Sequence, residues 1–556
     1  MKKVMSLLLG GAMLAGMLAG CGASGSGAAA SAGSTAPATA ATAASATAAG
    51  AKTLRIAWTA DIQTMDVDKT TADYEIPLNI FDRLFEIKLN ADGTTEIVKS
   101  LVDDYTLSDD GLTYNFTLKS GVTFSDGTPL TASDVKYSFT RMLALPESLQ
   151  TDFASAIAGS EAVMDGSATD LSGFTITDDT HFTITLGAPF AGYLYQLATP
   201  SCSILSEKNV EAAGSDFGMD PAKTIGSGPY IVKTWEHDSK MVLEANPTYW
   251  GTAPSAQTVE ISIVPDPSTI SMMYQNGELD ILDCDDLDSA VVDATYKTAY
   301  ADKIVTANRL ATTYFVLNEN VEPLGDVKVR KAIQMAVDRQ TLLDSVYSGD
   351  GTLTDGIYPR GLIGFSEENQ GWLKYDPEAA KALLAEAGYA DGFTMELSAD
   401  SSANSSVMLL LQIIQQNLAE VGITAEIKSY DEASWLDKRK SGEMESFVAT
   451  WTADDNDPDN FIYTFFGTED KSKIRSINYY NTEVMTRVQD ARAIVDESAR
   501  LAEYAALEKQ IVQEDAAWVP LFGRQHLFVI GENVESYTPH WAGYGDFFFS
   551  GVTLKS

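Results

Sequence analysis

The sequence predicts a mixed α/β protein of at least two lobes. Strand-type patterns dominate from about residue 52 to 305, and strand and helix patterns alternate from about 310 to 520. The chain has 556 residues, 45% hydrophobic and 21% charged. That composition buries a large core without disulfide or metal staples. No repeat of fixed period runs through it.

The first segment reads as an address. Met1-Lys2-Lys3 gives a positive start, and Met5 to Gly20 is apolar or small throughout. That run is too short to span a membrane and fits a secretory signal peptide, residues 1–20. It ends in Leu18-Ala19-Gly20-Cys21, which resembles the bacterial lipobox and implies lipidation of Cys21. Residues 21–51 are Ala, Ser, Thr and Gly with almost nothing else, a flexible tether that cannot form a core. A G-x-G-x-x-G match at Gly20–Gly25 straddles the expected cut and follows no strand, so it is not a nucleotide site.

Elements of the folded part follow from periodicity. Leu112, Tyr114, Phe116 and Leu118 alternate with polar residues, as do the runs Phe182–Leu186 and Val259–Ile263. Asp109-Asp110-Gly111 and Ser125-Asp126-Gly127 read as turns. Thr131-Ala132-Ser133-Asp134 begins a helix with Val135 and Phe139 on one face. Asp326 caps a stripe of Val329, Ala332, Ile333, Ala336 and Val337. Asp376-Pro377 begins a helix burying Ala380, Leu383, Leu384 and Ala387, and Gly388 ends it. Val407–Val421 is an apolar helix stopped by Gly422, and Tyr504, Leu507 and Ile511 mark a late one.

Charge and residue counts exclude several functions. Lys plus Arg is 38 and Asp plus Glu is 78, a net −40. Such a chain repels phosphate backbones, so no nucleic-acid partner is expected. Four histidines and three cysteines, none in C-x-x-C, leave no zinc ribbon or thioredoxin-type chemistry, and no cofactor or metal is assigned. There is no G-x-S-x-G and no H-E-x-x-H, and no enzyme is expected. Asp455-Asn-Asp457-Pro-Asp459-Asn460 lacks the glycine and glutamate of a calcium loop.

Several segments carry a resemblance. They are Leu107-Ser-Asp-Asp-Gly-Leu-Thr-Tyr-Asn-Phe-Thr-Leu-Lys119 with Gly121–Val135; Gly226-Ser-Gly-Pro-Tyr230; Asn246-Pro-Thr-Tyr-Trp250; Val329-Arg-Lys-Ala-Ile333 with Ala336-Val-Asp-Arg339; and Trp451-Thr-Ala-Asp-Asp-Asn-Asp-Pro-Asp-Asn-Phe461. In this order and spacing, over about Leu54 to Thr553, they resemble the peptide/nickel (family 5) solute-binding proteins of bacterial ABC importers. The resemblance implies a two-lobed, periplasmic-binding-protein-like clamshell (type II, cluster C). Lobe one is 52–305 plus 525–556, with an extra subdomain near 90–195; lobe two is 310–515. It implies a monomeric lipoprotein, extracytoplasmic and anchored to the outer face of the cell membrane. Its partners are a peptide ligand and an ABC permease with its ATPase subunits.

The resemblance also places the site. Asp454 matches the aspartate that holds the ligand ammonium. Trp451 walls the pocket, with core packing as the competing reading. Asp73, Tyr74 and Tyr544 are further cleft candidates. Asp457, before Pro458, organises the turn. Where dipeptide-binding members carry an arginine for the ligand carboxylate, Leu397–Val407 has no cation. Nickel, haem or an oligosaccharide on the same fold is the alternative ligand, and a secreted hydrolase the distant one. Whether Cys202 and Cys284 form a disulfide is open from sequence.

Overall fold

The predicted strands form where alternation gives one face a core. The computed structural model describes residues 52–90, 93–285, 287–403, 405–542 and 547–556. In it, Thr113–Leu118 pairs antiparallel with Val102–Leu107 and with His181–Thr185. Phe174–Ile176 completes this four-stranded sheet. Tyr114, Phe116, Phe182 and Ile184 all point into the core. Phe116 and Phe174 each stack on Phe182, with ring centres 5.2 and 5.0 Å away. Gly111 turns the chain between two of these strands with φ of +71°, a region glycine enters freely. Helix Ala132–Ala144 starts as predicted: the Asp134 carboxylate accepts from the Thr131 amide at 2.9 Å and its hydroxyl at 3.0 Å.

A second sheet joins distant parts of the sequence. Thr53–Trp58 runs parallel to Thr258–Ile263, and Lys240–Ala245 and Tyr230–Glu236 follow in antiparallel fashion. Leu54, Ile56, Val259 and Ile261 share a core with Phe549, Val552 and Leu554. The Lys52 ammonium donates to the Leu554 carbonyl at 2.9 Å.

The later half alternates as expected. Phe393–Asp400 and Ile423–Tyr430 pair in parallel, with helix Ser405–Glu420 as the crossover that a parallel pair requires. Leu410, Leu411, Ile414 and Leu418 are buried, each worth roughly 1.5–3 kcal/mol. Asp326 caps Val327–Ala336, accepting from the Lys328 amide at 2.8 Å, and Asp376 caps Pro377–Glu386, accepting from Ala379 at 2.9 Å. The last stripe is narrower than its sequence suggests. Ala380 and Leu384 are buried, but Leu383 and Ala387 are only half-buried, because the helix packs mainly on Val327–Ala336.

One long strand ties the parts together. Val519–Ile530 pairs at its start with Ala311–Leu317 and Gly351–Leu353, and at its end with Ile304–Asn308 and Ile281–Asp283. Ser446–Thr452 lies on the other side of Ala311–Leu317, which is buried along its whole length.

Cys202 and Cys284 are both free and buried, in separate cores. Burial pushes the Cys202 thiol up to about 12, so it is not a reactive thiolate.

One buried acid gives stability a pH dependence. Arg330 donates to the carbonyls of Leu324, Gly325, Asp515 and Ala516. Glu319 lies 3.4 Å from it, with one carboxylate oxygen buried and unpartnered. Burial pushes the Glu319 carboxyl up to about 7 from 4.5. The folded state keeps a proton that the unfolded chain has released, so this group's contribution falls as pH rises from about 4.5 to 7. The loss is up to about 3 kcal/mol. Glu319→Gln is expected to raise the unfolding midpoint at pH 8 and leave it nearly unchanged at pH 4.5. Equal effects at both pH values in thermal unfolding would refute this origin.

Candidate ligand-binding site

Strand Ser446–Thr452 delivers the tryptophan–aspartate motif to the edge of a cavity. The Ala453 amide donates to Leu310 at 2.7 Å, extending the strand pairing by one residue. The residues beyond are pinned. Asp457 accepts from the Arg500 guanidinium at 2.8 and 2.6 Å and from the Asp459 amide at 2.9 Å. Asp459 accepts from the Tyr504 hydroxyl at 2.8 Å and from Arg492 at 3.1 Å. Asn456 donates to the Thr95 hydroxyl at 2.6 Å and accepts from the Ile363 amide at 2.9 Å.

Asp454 is held differently. The Asn460 side chain donates to Asp454 Oδ2 at 3.1 Å, while its oxygen accepts from the Asp454 amide at 3.2 Å and the Trp451 indole N–H at 3.1 Å. A neutral group thus fixes the carboxylate, and among the described residues no basic side chain forms an ion pair with it. It opens onto a cavity of about 890 Å³, a size suited to a small solute. Tyr74, Gln150 and Phe153 line the cavity from the first half of the chain, and Thr452, Asp454 and Tyr463 from the later half. Gln150 donates to the Tyr74 hydroxyl at 3.0 Å, which itself lies 3.2 Å from Ser201 Oγ, so this wall is braced.

Asp454 keeps an exposed edge toward the cavity while the neighbouring walls partly desolvate its carboxylate. Burial is the main force raising its carboxyl above the ordinary range; the Asn460 hydrogen bond opposes it, the charge of Asp152 adds to it and the charge of Arg475 opposes it. Asp455 also lines the cavity, buried and with Oδ1 unpartnered, and burial drives its carboxyl well above the usual range.

The other sequence-chosen residues separate. Tyr74 reaches the cavity, but Asp73 lines a different pocket of about 250 Å³, where it accepts from the Gln63 amide at 3.0 Å. The Thr70 hydroxyl accepts from the Ala72 and Asp73 amides, and this turn sends the two neighbours to opposite sides. Trp451 lies outside the cavity lining: strand alternation puts Thr452 there and turns Trp451 to the other face, edge-on to Phe465 at 5.3 Å. Trp451 acts on the site through its bond to Asn460 and through Arg475, which lies over its ring at 5.3 Å. Tyr544, Cys21 and the segments 1–20 and 21–51 lie outside the described residues.

Sequence reasoning missed Asp152 and Lys471, which both line the cavity. The signal for the latter was present: Lys471, Lys473 and Arg475 crowd five positions just after the motif, in a chain of net charge −40. Asp283, Asp285 and His526 bring ligand-type atoms together near the small pocket, but Arg309 already pairs with Asp285, and His526 lies 2.7 Å from Asp283. Among the described residues, no helix is long and apolar enough to cross a membrane.

A walled cavity with an acid awaiting a partner is the equipment of a solute-binding protein. The family model for bacterial extracellular solute-binding proteins, family 5 (middle region), matches residues 96–473, and the chain belongs to that family. Its fold is the family's two-lobed α/β fold. The dipeptide-binding protein of Escherichia coli is 31% identical over 455 residues, 79% of this chain and 82% of that protein. Heme-binding protein A of Haemophilus influenzae is 28% identical, covering 86% of this chain and 87% of that one. The solved ABC transporter-associated periplasmic binding protein DppA of Helicobacter pylori, in complex with a peptide, matches with a TM-score of 0.69 at 26% identity, over 91% of this chain and 98% of that chain.

Proposed function

We propose that this chain is the substrate-binding lipoprotein of an ABC importer, capturing di- to oligopeptides between its lobes and delivering them to a membrane permease. It is anchored through a lipid on Cys21, tethered by residues 21–51, and performs no covalent chemistry. Lobe one is 52–305 with 525–556, and lobe two is 310–515. The packing of Phe549, Val552 and Leu554 beside Leu54 supports that division.

The observation that carries the reading is Asp454. A carboxylate facing a partly open cavity, oriented by a neutral amide and in no ion pair among the described residues, is set for a cation brought by the ligand. A peptide's α-ammonium supplies that charge and relieves the desolvated acid. Enclosure between lobes strengthens the contact, and a ligand that touches both lobes favours the closed state.

Asp454→Asn is expected to weaken peptides with a free amine by roughly tenfold or more and leave N-acetylated peptides nearly unaffected. Calorimetric titration of both forms decides it: equal losses would remove the ammonium role.

A further inference from the structure

The cavity is also lined by a cation that forms no ion pair among the described residues. Among the described residues, three basic side chains of lysine and arginine type line it: Arg309, Lys471 and Arg492. Arg309 pairs with Asp285, and Arg492 with Asp459 at 3.1 Å. Arg492 also lies over the Tyr463 ring at 3.9 Å. Lys471 forms no ion pair among the described residues; its ammonium sits over the other part of the same environment, 4.5 Å from the Tyr463 ring centre. A ring face attracts the charge but gives no lone pairs to the three N–H donors.

We propose that Lys471 receives the anionic end of the ligand, the terminal carboxylate of a short peptide whose ammonium rests on Asp454. This rests on the peptide reading above and completes it, because a zwitterion needs both poles met. Asp454, Asp152 and Lys471 all line this one cavity. That shared region favours a short solute over a long extended one. Burial lowers the Lys471 pKa, and an anion placed beside it would raise it again. Tyr463, on helix Asp459–Phe466, and the Asn460 clamp stand on the same helix, which places both poles relative to one rigid element.

The competing role for Lys471 is a closure contact with Asp152 across the cavity, indifferent to the ligand's terminus. Dialanine and trialanine, each as free acid, C-terminal amide and N-acetyl form, separate the two in calorimetric titration of the full chain. The wild type is expected to bind the acids about tenfold or more tighter than the amides. Lys471→Met should abolish that preference and keep the preference for a free amine, whereas Lys471→Arg should keep both. Equal affinity of the wild type for acid and amide overturns the proposal, as does a Lys471→Met loss that is the same for both forms. Should Lys471→Met not fold, the wild-type comparison together with Lys471→Gln decides. If amidation is without effect while N-acetylation still weakens binding, only the Lys471 assignment fails. If N-acetylation is without effect as well, or no form binds, the peptide reading falls with it.

Discussion

Replacing Arg500 by methionine is expected to destabilise the folded protein by about 3–5 kcal/mol. The guanidinium and the Asp457 carboxylate are 2% and 0% exposed, and two parallel hydrogen bonds join them. Without Arg500, Asp457 is a stranded charge whose remaining bond in the loop is the Asp459 amide. The Asp457 side chain has no exposed surface and, among the described residues, pairs with no other base, so the desolvation penalty is large. Arg500→Met with Asp457→Asn should recover much of the loss, since no charge is then left alone. Urea unfolding of the single and double variants measures this. A single-variant loss below about 1 kcal/mol, or a double variant no better than the single, would show that the pair is not what holds the loop. Ligand affinity should fall as well in Arg500→Met, because Asp454 stands three residues before Asp457 on the same pinned segment.

Gly226→Ala should cost about 3 kcal/mol or more and reduce the folded yield. A methyl group at Gly226 would overlap the Ile80 carbonyl oxygen, and one at Gly228 would meet the Ile80 carbonyl carbon at 2.6 Å. These are backbone atoms, so no side chain can swing away. The approach is needed because the Gly228 amide donates to Ile80 at 2.8 Å and the Gly226 carbonyl accepts from Ser125 at 2.9 Å. Gly127→Ala is the control: its added methyl meets nothing, and only its φ of +84° is strained, so it should cost about 1 kcal/mol. Thermal unfolding that ranks the two variants equally would refute the packing argument.

Local signals were legible where one residue governs one element. Asp326 and Asp376 cap helices and Asp134 closes a capping box with Thr131, as their sequence implies, and Phe116 and Phe182 lie inward as their alternation requires. The Gly226–Tyr230 and Asn246 motifs were visible as letters, but their reason was not. Asn246 donates to the Gly228 carbonyl at 2.9 Å, a contact between two motifs that no periodicity reveals. The site was half legible. Asp454 is singled out by its motif and lines the cavity. Trp451 could be read as pocket wall or as core, because the motif spans a strand end, where neighbouring residues face opposite ways. Lys471 left a trace in the local cluster of basic residues, but Asp152 left none, because the two come from separate elements and both reach the cavity only in the fold.

The bond from Lys52 to the Leu554 carbonyl spans 502 positions of sequence. It means that the sheet begun by Thr53–Trp58 cannot finish its interior when those residues leave the ribosome. Phe549, Val552 and Leu554 must first be synthesised, so a half-made chain carries an unsealed greasy face throughout translation. Shortening the gene before codon 547 would leave that face permanently bare, and the product should clump rather than merely bind less.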